Sequence, residues 1–295
     1  MTRVRRVLWR AARSFYDDQM TQQAAAVTYY ALMSLFPAVL LALSLLGLIG
    51  EYPRTYDAII DYLRGVVPHS TLGTIDSSLR GALQHKGTAA GALAISVVTA
   101  LYGTTGLLEA VRRALNIVFD VESGRSFWRR KTVDVGSTLV LGTLLLVTLT
   151  LMFVGGGFAH DIFGFIGVGN TASRVWSVAR WPAAVAVAML IFAWIYYVTP
   201  DVYHRGFRWL APGAVTGVAI WVLASAGFSF YISRFANVSA VYGAFAGLIL
   251  LVVWLWLTSV ALLFGAELNA ELERDKEIEE GVPPAATLAL DPKTS

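Results

Sequence analysis

Tyr242-Gly-Ala-Phe-Ala-Gly-Leu-Ile-Leu-Leu-Val-Val-Trp-Leu-Trp-Leu-Thr-Ser-Val-Ala-Leu-Leu-Phe264 runs for 23 residues without one charged side chain. About 20 such residues in a helix cross the ~30 Å hydrocarbon layer of a bilayer. A helix that covers a soluble core keeps a polar face, and this stretch has none. Five further stretches qualify on the same grounds: roughly Ala24–Ile49, Ala89–Val111, Gly136–Phe158, Trp181–Val198 and Ala211–Ile232. The pattern predicts an all-α, polytopic membrane bundle of about six transmembrane helices. Composition agrees. Of 295 residues, 56% are hydrophobic and 15% charged, with a mean hydropathy of +0.61, against about 25% charged in soluble domains.

The net charge of +3 does not point to nucleic acid as a partner, because the basic residues flank apolar segments, where they set topology. With the N-terminus inside, 16 of the 23 Lys and Arg fall on inside segments: Arg3 to Arg13, Arg112 to Lys131, Arg205 and Arg208, and the tail. The excess predicts both termini in the cytoplasm of a bacterial inner membrane. The Arg-rich start resembles a signal peptide, but an apolar stretch of 26 residues at Ala24–Ile49 far exceeds the roughly 7–15 of a cleaved signal. The absence of cysteine excludes disulfides, thiolate metal ligands and a cysteine nucleophile.

Three extramembrane pieces carry their own patterns. In segment 1–20, Val4, Val7, Leu8, Ala11 and Phe15 recur at helical spacing with arginines on the other faces, which predicts an amphipathic helix lying on the anionic inner leaflet. The outer loop 51–88 contains two apolar stripes separated by Pro68, readable as two amphipathic helices. Ile162–Val168 is also too apolar for an exposed loop. The membrane domain is read as 21–273. Segment 274–295 is read as a tail that begins as a charged helix extension and is largely disordered, being Pro- and Ala-rich after Gly281.

Candidate functional residues lie mainly on the first two spans. Tyr29, Tyr30 and Ser34 precede Pro37, where a proline frees a backbone carbonyl and kinks a helix. Thr104, Thr105 and Glu109 give the second span a polar side that should face protein or a cavity rather than lipid. Glu109 has Arg112 and Arg113 at i+3 and i+4; read as a surface pair, this contributes about 0.3–0.5 kcal/mol. Asn116 follows near the interface. Glu267 and Asn269 close the sixth span, and Glu267 is read as a latch or gate residue paired with the basic Arg112–Lys131 stretch. Gly213 with Gly217, and Gly243 with Gly247, are small-xxx-small pairs that let helices approach closely, within one chain or in a homo-oligomer.

Catalytic constellations are missing from the sequence. His69, His85, His160 and His204 fall on separate loops without the spacing of a helical zinc site, and His160–Asp161 and Asp201 near His204 read as surface pairs. No phosphate-cradling glycine loop occurs. The expectation is a non-enzyme with no cofactor and no metal, in contact with membrane lipids.

Gln23-Ala-Ala-Ala-Val-Thr-Tyr-Tyr-Ala-Leu-Met-Ser-Leu-Phe-Pro37 and Leu108-Glu-Ala-Val-Arg-Arg-Ala-Leu-Asn-Ile-Val-Phe119 resemble signatures of the YihY/virulence factor BrkB family of bacterial inner-membrane proteins. The series Pro212-Gly-Ala, Trp221, Phe228, Tyr231, Phe235, Tyr242-Gly243, Trp254 and Gly265-Ala-Glu-Leu-Asn269 looks like its C-terminal half. The resemblance runs from about Arg10 to Glu273. Two positions depart from it: Thr104-Thr105 stands where serines are usual, and Val238 where an aromatic is common. It implies a six-span protein of a family described as transporters and virulence-associated factors, once labelled ribonuclease BN. The expectation is a transporter or translocase of a lipid-linked, amphiphilic or small solute, with Tyr29, Tyr30, Ser34, Thr104, Thr105 and Glu109 lining its path. A non-transporting scaffold or envelope-integrity factor is the alternative, and a membrane hydrolase the third reading.

Overall fold

The computed structural model describes residues 3–49, 56, 57, 60, 76, 80, 86–121, 125–153, 169–202, 211–235 and 244–280. Among these the chain forms seven helices: α1 (Arg3–Asp17), α2 (Met20–Ile49), α3 (Lys86–Val118), α4 (Phe127–Phe153), α5 (Gly169–Val198), α6 (Ala211–Phe235) and α7 (Ala244–Glu279). Each expected span lies on one of α2 to α7. Four stretches, Phe127–Thr148, Val175–Val198, Ala211–Arg234 and Ala246–Glu279, are long and apolar enough to cross a membrane. Their large apolar side chains point outward, Leu139, Leu146, Leu223 and Phe230 among them. Water-soluble monomers rarely expose continuous apolar area of this extent, so lipid is the solvent of these faces.

The helices outrun the apolar stretches at their charged ends. α4 begins nine residues before Gly136, so Arg129, Arg130 and Lys131 are helical rather than looped. α7 continues through the charged residues to Glu279, as the charged helix extension expected at the start of segment 274–295. At 1.5 Å per residue its 36 residues span about 54 Å, well beyond a ~30 Å hydrocarbon layer. The apolar part ends at Phe264, and Gly265–Glu279 stands outside it. Pro37 does not break α2, which is helical from Met20 to Ile49. Most of the outer loop, Ile162–Val168, Gly243, the four histidines and the tail beyond 280 lie outside the described residues.

The chain divides into two compact units, Met1–Thr28 with Leu108–Ser295, and Tyr29–Leu107. In the first, α6 packs most extensively on α7, α5 on both α4 and α6, and α1 on α7. The α6–α7 seam is closed by glycine. A Cβ on Gly213 would run into the Gly265 carbonyl and the Asn269 side chain, and one on Gly217 would lie 3.0 Å from the Ala261 carbonyl. Tyr196 of α5 closes the seam by donating to the Leu262 carbonyl at 2.7 Å. The partner of the Gly213–Gly217 pair is therefore Gly265 and Ala261, whereas Gly247 faces open space.

α1 is the amphipathic helix the sequence predicts, but it is docked on protein. Val7 and Ala11 are buried against Leu268 and Leu272 of α7. Arg3 and Arg10 pair with Asp275 at 2.9 and 2.7 Å, Arg10 with Glu271 at 3.1 Å, and Ser14 donates to Glu271 at 3.0 Å. The reason is geometric. Residues 3, 7, 10, 11 and 14 share one helical face, which is complementary to the acidic extension of α7, while Val4, Leu8, Trp9 and Tyr16 on the other faces stay exposed.

In the second unit, α2 meets α3 through small residues. A Cβ on Gly103 would fall 3.1 Å from the Ser34 Cα, and one on Gly106 would fall 3.0 Å from the Tyr30 ring. Away from this contact, Tyr56 bonds Asp76 and Arg80 across twenty-odd residues of chain.

Candidate functional site

Pro200 ends α5. The residue before a proline is pushed out of the helical region, and a helix that stops leaves its last carbonyls without intrahelical donors. Two arginines from elsewhere in the chain supply them. Arg125 donates to the Val198 and Pro200 carbonyls at 3.0 and 3.1 Å, and Arg112 of α3 donates to the Thr199 carbonyl at 3.2 Å. A cation at this end also complements the helix dipole.

Each guanidinium is neutralised on its other side. Arg112 reaches Glu109 at 2.5 Å and bonds Asp134 of α4. Arg125 pairs with Asp201 at 3.2 Å. Asn116 reads Asp201 twice, donating to its carboxylate at 3.2 Å and accepting its backbone N–H at 2.9 Å. The side chains of Arg112 and Asp134 are each 1% exposed and that of Asp201 0%. Glu109 sits at the mouth of this network, within 3.6 Å of Arg113 and Arg130 as well. Burial pulls the Arg125 guanidinium below its ordinary value, opposed by Asp201. A charge taken out of water is tolerated only when paired and hydrogen-bonded, and this network ties the adjoining ends of α3, α4 and α5 into one polar centre.

The α3 terminus is shaped for it. Asp120 adopts φ 52°, Val121 N–H bonds the Asn116 carbonyl at 2.9 Å and Asp120 N–H the Ile117 carbonyl at 3.1 Å. This is the Schellman pattern, with Asp where glycine is usual. The Asp120 carboxylate is taken by Arg274 of α7 at 2.5 Å, so the centre connects to the charged extension.

The sequence candidates distribute as follows. Glu109 and Asn116 belong to the centre. Arg112, read as half of a surface pair, is instead its buried hub, and Asp201, read as a surface residue, is fully buried. Arg125 and Asp134 were not singled out by sequence. Tyr29, Tyr30 and Ser34 lie in the other unit. The two tyrosines are partly exposed and stack edge-on at 5.3 Å, and Ser34 donates to the Ala31 carbonyl at 2.8 Å. Thr104 and Thr105 donate to carbonyls one turn back in their own helix. Asn269 accepts the Gly213 N–H at 2.8 Å, capping a free amide of the first turn of α6. Glu267 does not reach the Arg112–Lys131 stretch. It is buried, and the strongest charged influence on it is Asp18 in the turn between α1 and α2. Among the described residues no three His, Asp or Glu side chains converge as a metal-binding group.

Comparison with known proteins agrees with this architecture. Residues 11–288 match the family described as Virulence factor BrkB. A protein of Bacillus subtilis (strain 168) described as ribonuclease-like, YfkH, is 29% identical over 261 residues, covering 88% of this chain and 93% of that one. A UPF0761 membrane protein of Xanthomonas axonopodis pv. citri (strain 306) is 26% identical over 267 residues, covering 90% of this chain. A UPF0761 membrane protein of Xanthomonas oryzae pv. oryzae (strain PXO99A) is similar to the same extent. The chain spans 60% of the length of these two Xanthomonas proteins. No solved structure matches it significantly.

Proposed function

The chain belongs to the virulence factor BrkB family of membrane proteins, and from that premise we propose that it translocates a lipid-linked, amphiphilic or small solute. The observation that carries this reading is the buried centre around Arg112. Ionisable side chains held at membrane depth are costly, and each is a candidate for a pathway or gate by default. Here a single guanidinium joins three spans, and Glu109 beside it is the one member of the Arg112 cluster that is part-exposed. A change in what Glu109 binds would be felt directly by α3, α4 and α5.

The scaffold reading needs charges free to recruit partners. Arg3, Arg10, Glu271 and Asp275 are instead paired with one another, which favours translocation. The ribonuclease-like name of the Bacillus protein is not carried over: Glu109 and Asp134 are both engaged by Arg112, and Asp134 is closed off from solvent.

The test is reconstitution in anionic proteoliposomes. Headgroup-labelled phosphatidylglycerol reports lipid movement through its accessibility to a membrane-impermeant quencher, and entrapped carboxyfluorescein reports solute movement. The wild type should move one probe faster than protein-free vesicles, and Glu109→Gln should slow it at equal protein content. No transport of either probe would refute the reading.

A further inference from the structure

Among the described residues, Glu267 is one of the most deeply buried acids. Its side chain is 1% exposed, it lies three residues beyond the apolar part of α7, and its Oε1 has no hydrogen-bond partner. The charged group that acts on it most strongly is Asp18, in the turn between α1 and α2 where Gln19 takes φ 54°. Two ionised carboxylates can neither donate to one another nor share a buried space without repulsion, so a carboxylate buried here with an unpartnered oxygen is stable when it carries a proton. The surroundings do not supply a cation in its place. Asp17 and Asp18 approach from the end of α1, Asp120 from the end of α3, and Glu271 with Arg274 from α7. Arg274 is already held by Asp120 at 2.5 Å and Glu271 at 2.9 Å. Glu271 is further held by Arg10 and Ser14 of α1.

We propose that Asp18 and Glu267 form a binding site for one proton, and that the bound proton latches the α1–α2 turn to α7. The proton comes from and returns to bulk water. When it leaves, two negative charges share one buried space and repel, and the turn separates from α7. Direction and range follow from the environment. Burial, reinforced by Asp18, pushes the Glu267 carboxyl up to about 9, and burial beside Asp120 also raises Asp18. A divalent cation fits less well, because among the described residues no third carboxylate converges with the pair as a metal-binding group. The site does not depend on the translocation reading, and neither readout below requires transport.

The experiment uses the full chain in lipid nanodiscs. Infrared difference spectra from pH about 5 to about 10 should show a protonated-carboxyl C=O band that bleaches on the alkaline side of neutrality. Glu267→Gln should lack the band, and Asp18→Asn should move its midpoint to lower pH. No such band, a band retained in Glu267→Gln, or a midpoint that Asp18→Asn leaves in place would overturn the shared site. Bleaching by Mg²⁺ or Ca²⁺ at fixed pH would assign it to a metal instead. The latch is read separately. The chain has no cysteine, so spin labels at Ala12→Cys in α1 and Ile278→Cys in α7 report one distance. That distance should be narrow below the midpoint and broad above it, and stay narrow throughout in Glu267→Gln. An identical distribution on both sides of the midpoint would refute the latch.

Discussion

Arg112 and Asp134 provide the sharpest test of whether the polar centre holds the bundle together. Both side chains are 1% exposed. Arg112→Met removes the donors to Glu109, Asp134 and the Thr199 carbonyl. It leaves Asp134, whose Oδ2 already lacks a partner, as an uncompensated buried charge. Breaking a buried pair from one side costs about 3–5 kcal/mol, and this variant should lie in that range. Asp134→Leu alone leaves Arg112 with Glu109 and the Thr199 carbonyl, so its cost should be smaller, about 2–3 kcal/mol. The double variant is the decisive one. Replacing a buried ion pair by apolar groups of similar volume is often neutral or stabilising, so Arg112→Met/Asp134→Leu should be more stable than Arg112→Met alone. Reversible denaturation in mixed micelles, followed by far-ultraviolet circular dichroism, gives the cycle directly. If the double variant loses the sum of the two singles to within about 0.5 kcal/mol, the two side chains are not coupled and the centre as described is wrong.

Two further outcomes follow from the same geometry. Gly213→Ala should destabilise by about 1–3 kcal/mol or more, because its Cβ meets backbone that cannot rotate away, whereas Gly247→Ala, with open space around it, should cost little; denaturation midpoints of the pair check this. Glu267 binds its proton more tightly folded, at about 9, than at its ordinary 4.5. Its contribution is therefore fully present below pH 4.5 and lost as pH rises toward 9, with a slope of at most about 1.4 kcal/mol per pH unit. Glu267→Gln should flatten that slope, and equal slopes in both proteins would argue against a buried neutral Glu267.

The spans were legible because hydropathy is a one-dimensional signal: a run such as Leu248–Leu257 has no other stable solvent than lipid or a core. The start of α4 was not, because Phe127–Lys131 extend that helix through charged residues, where hydropathy is silent and only packing on α3 or α5 decides. The polar centre was half legible. Glu109 and Asn116 stand out as polar groups near an apolar stretch, but Asp134 fell just outside a span drawn to begin at Gly136. Arg112 and Arg125 looked like ordinary topogenic charges. Two local signals bear on them. Thr199-Pro200 ends a helix whose carbonyls then need donors, and Asp134 is the sole acid in α4. Neither says which arginine answers, since Arg112 and Thr199 are 87 residues apart.

The two charged clusters sit side by side, joined by the Asp120–Arg274 contact at 2.5 Å, yet they are built on opposite terms. Around Arg112 and Arg125, each buried acid is paired with a guanidinium group, and the carbonyls at the end of α5 take further donors. Such a network loses energy with any change in protonation or geometry, so it fixes the ends of three helices. Around Glu267, acids outnumber the single guanidinium that faces them, and one buried oxygen is unsatisfied. That arrangement is tolerable only while one carboxyl stays neutral. Movement that begins at this end of the bundle should therefore start at the α1–α2 turn and α7, with the Arg112 centre as the fixed point against which they move.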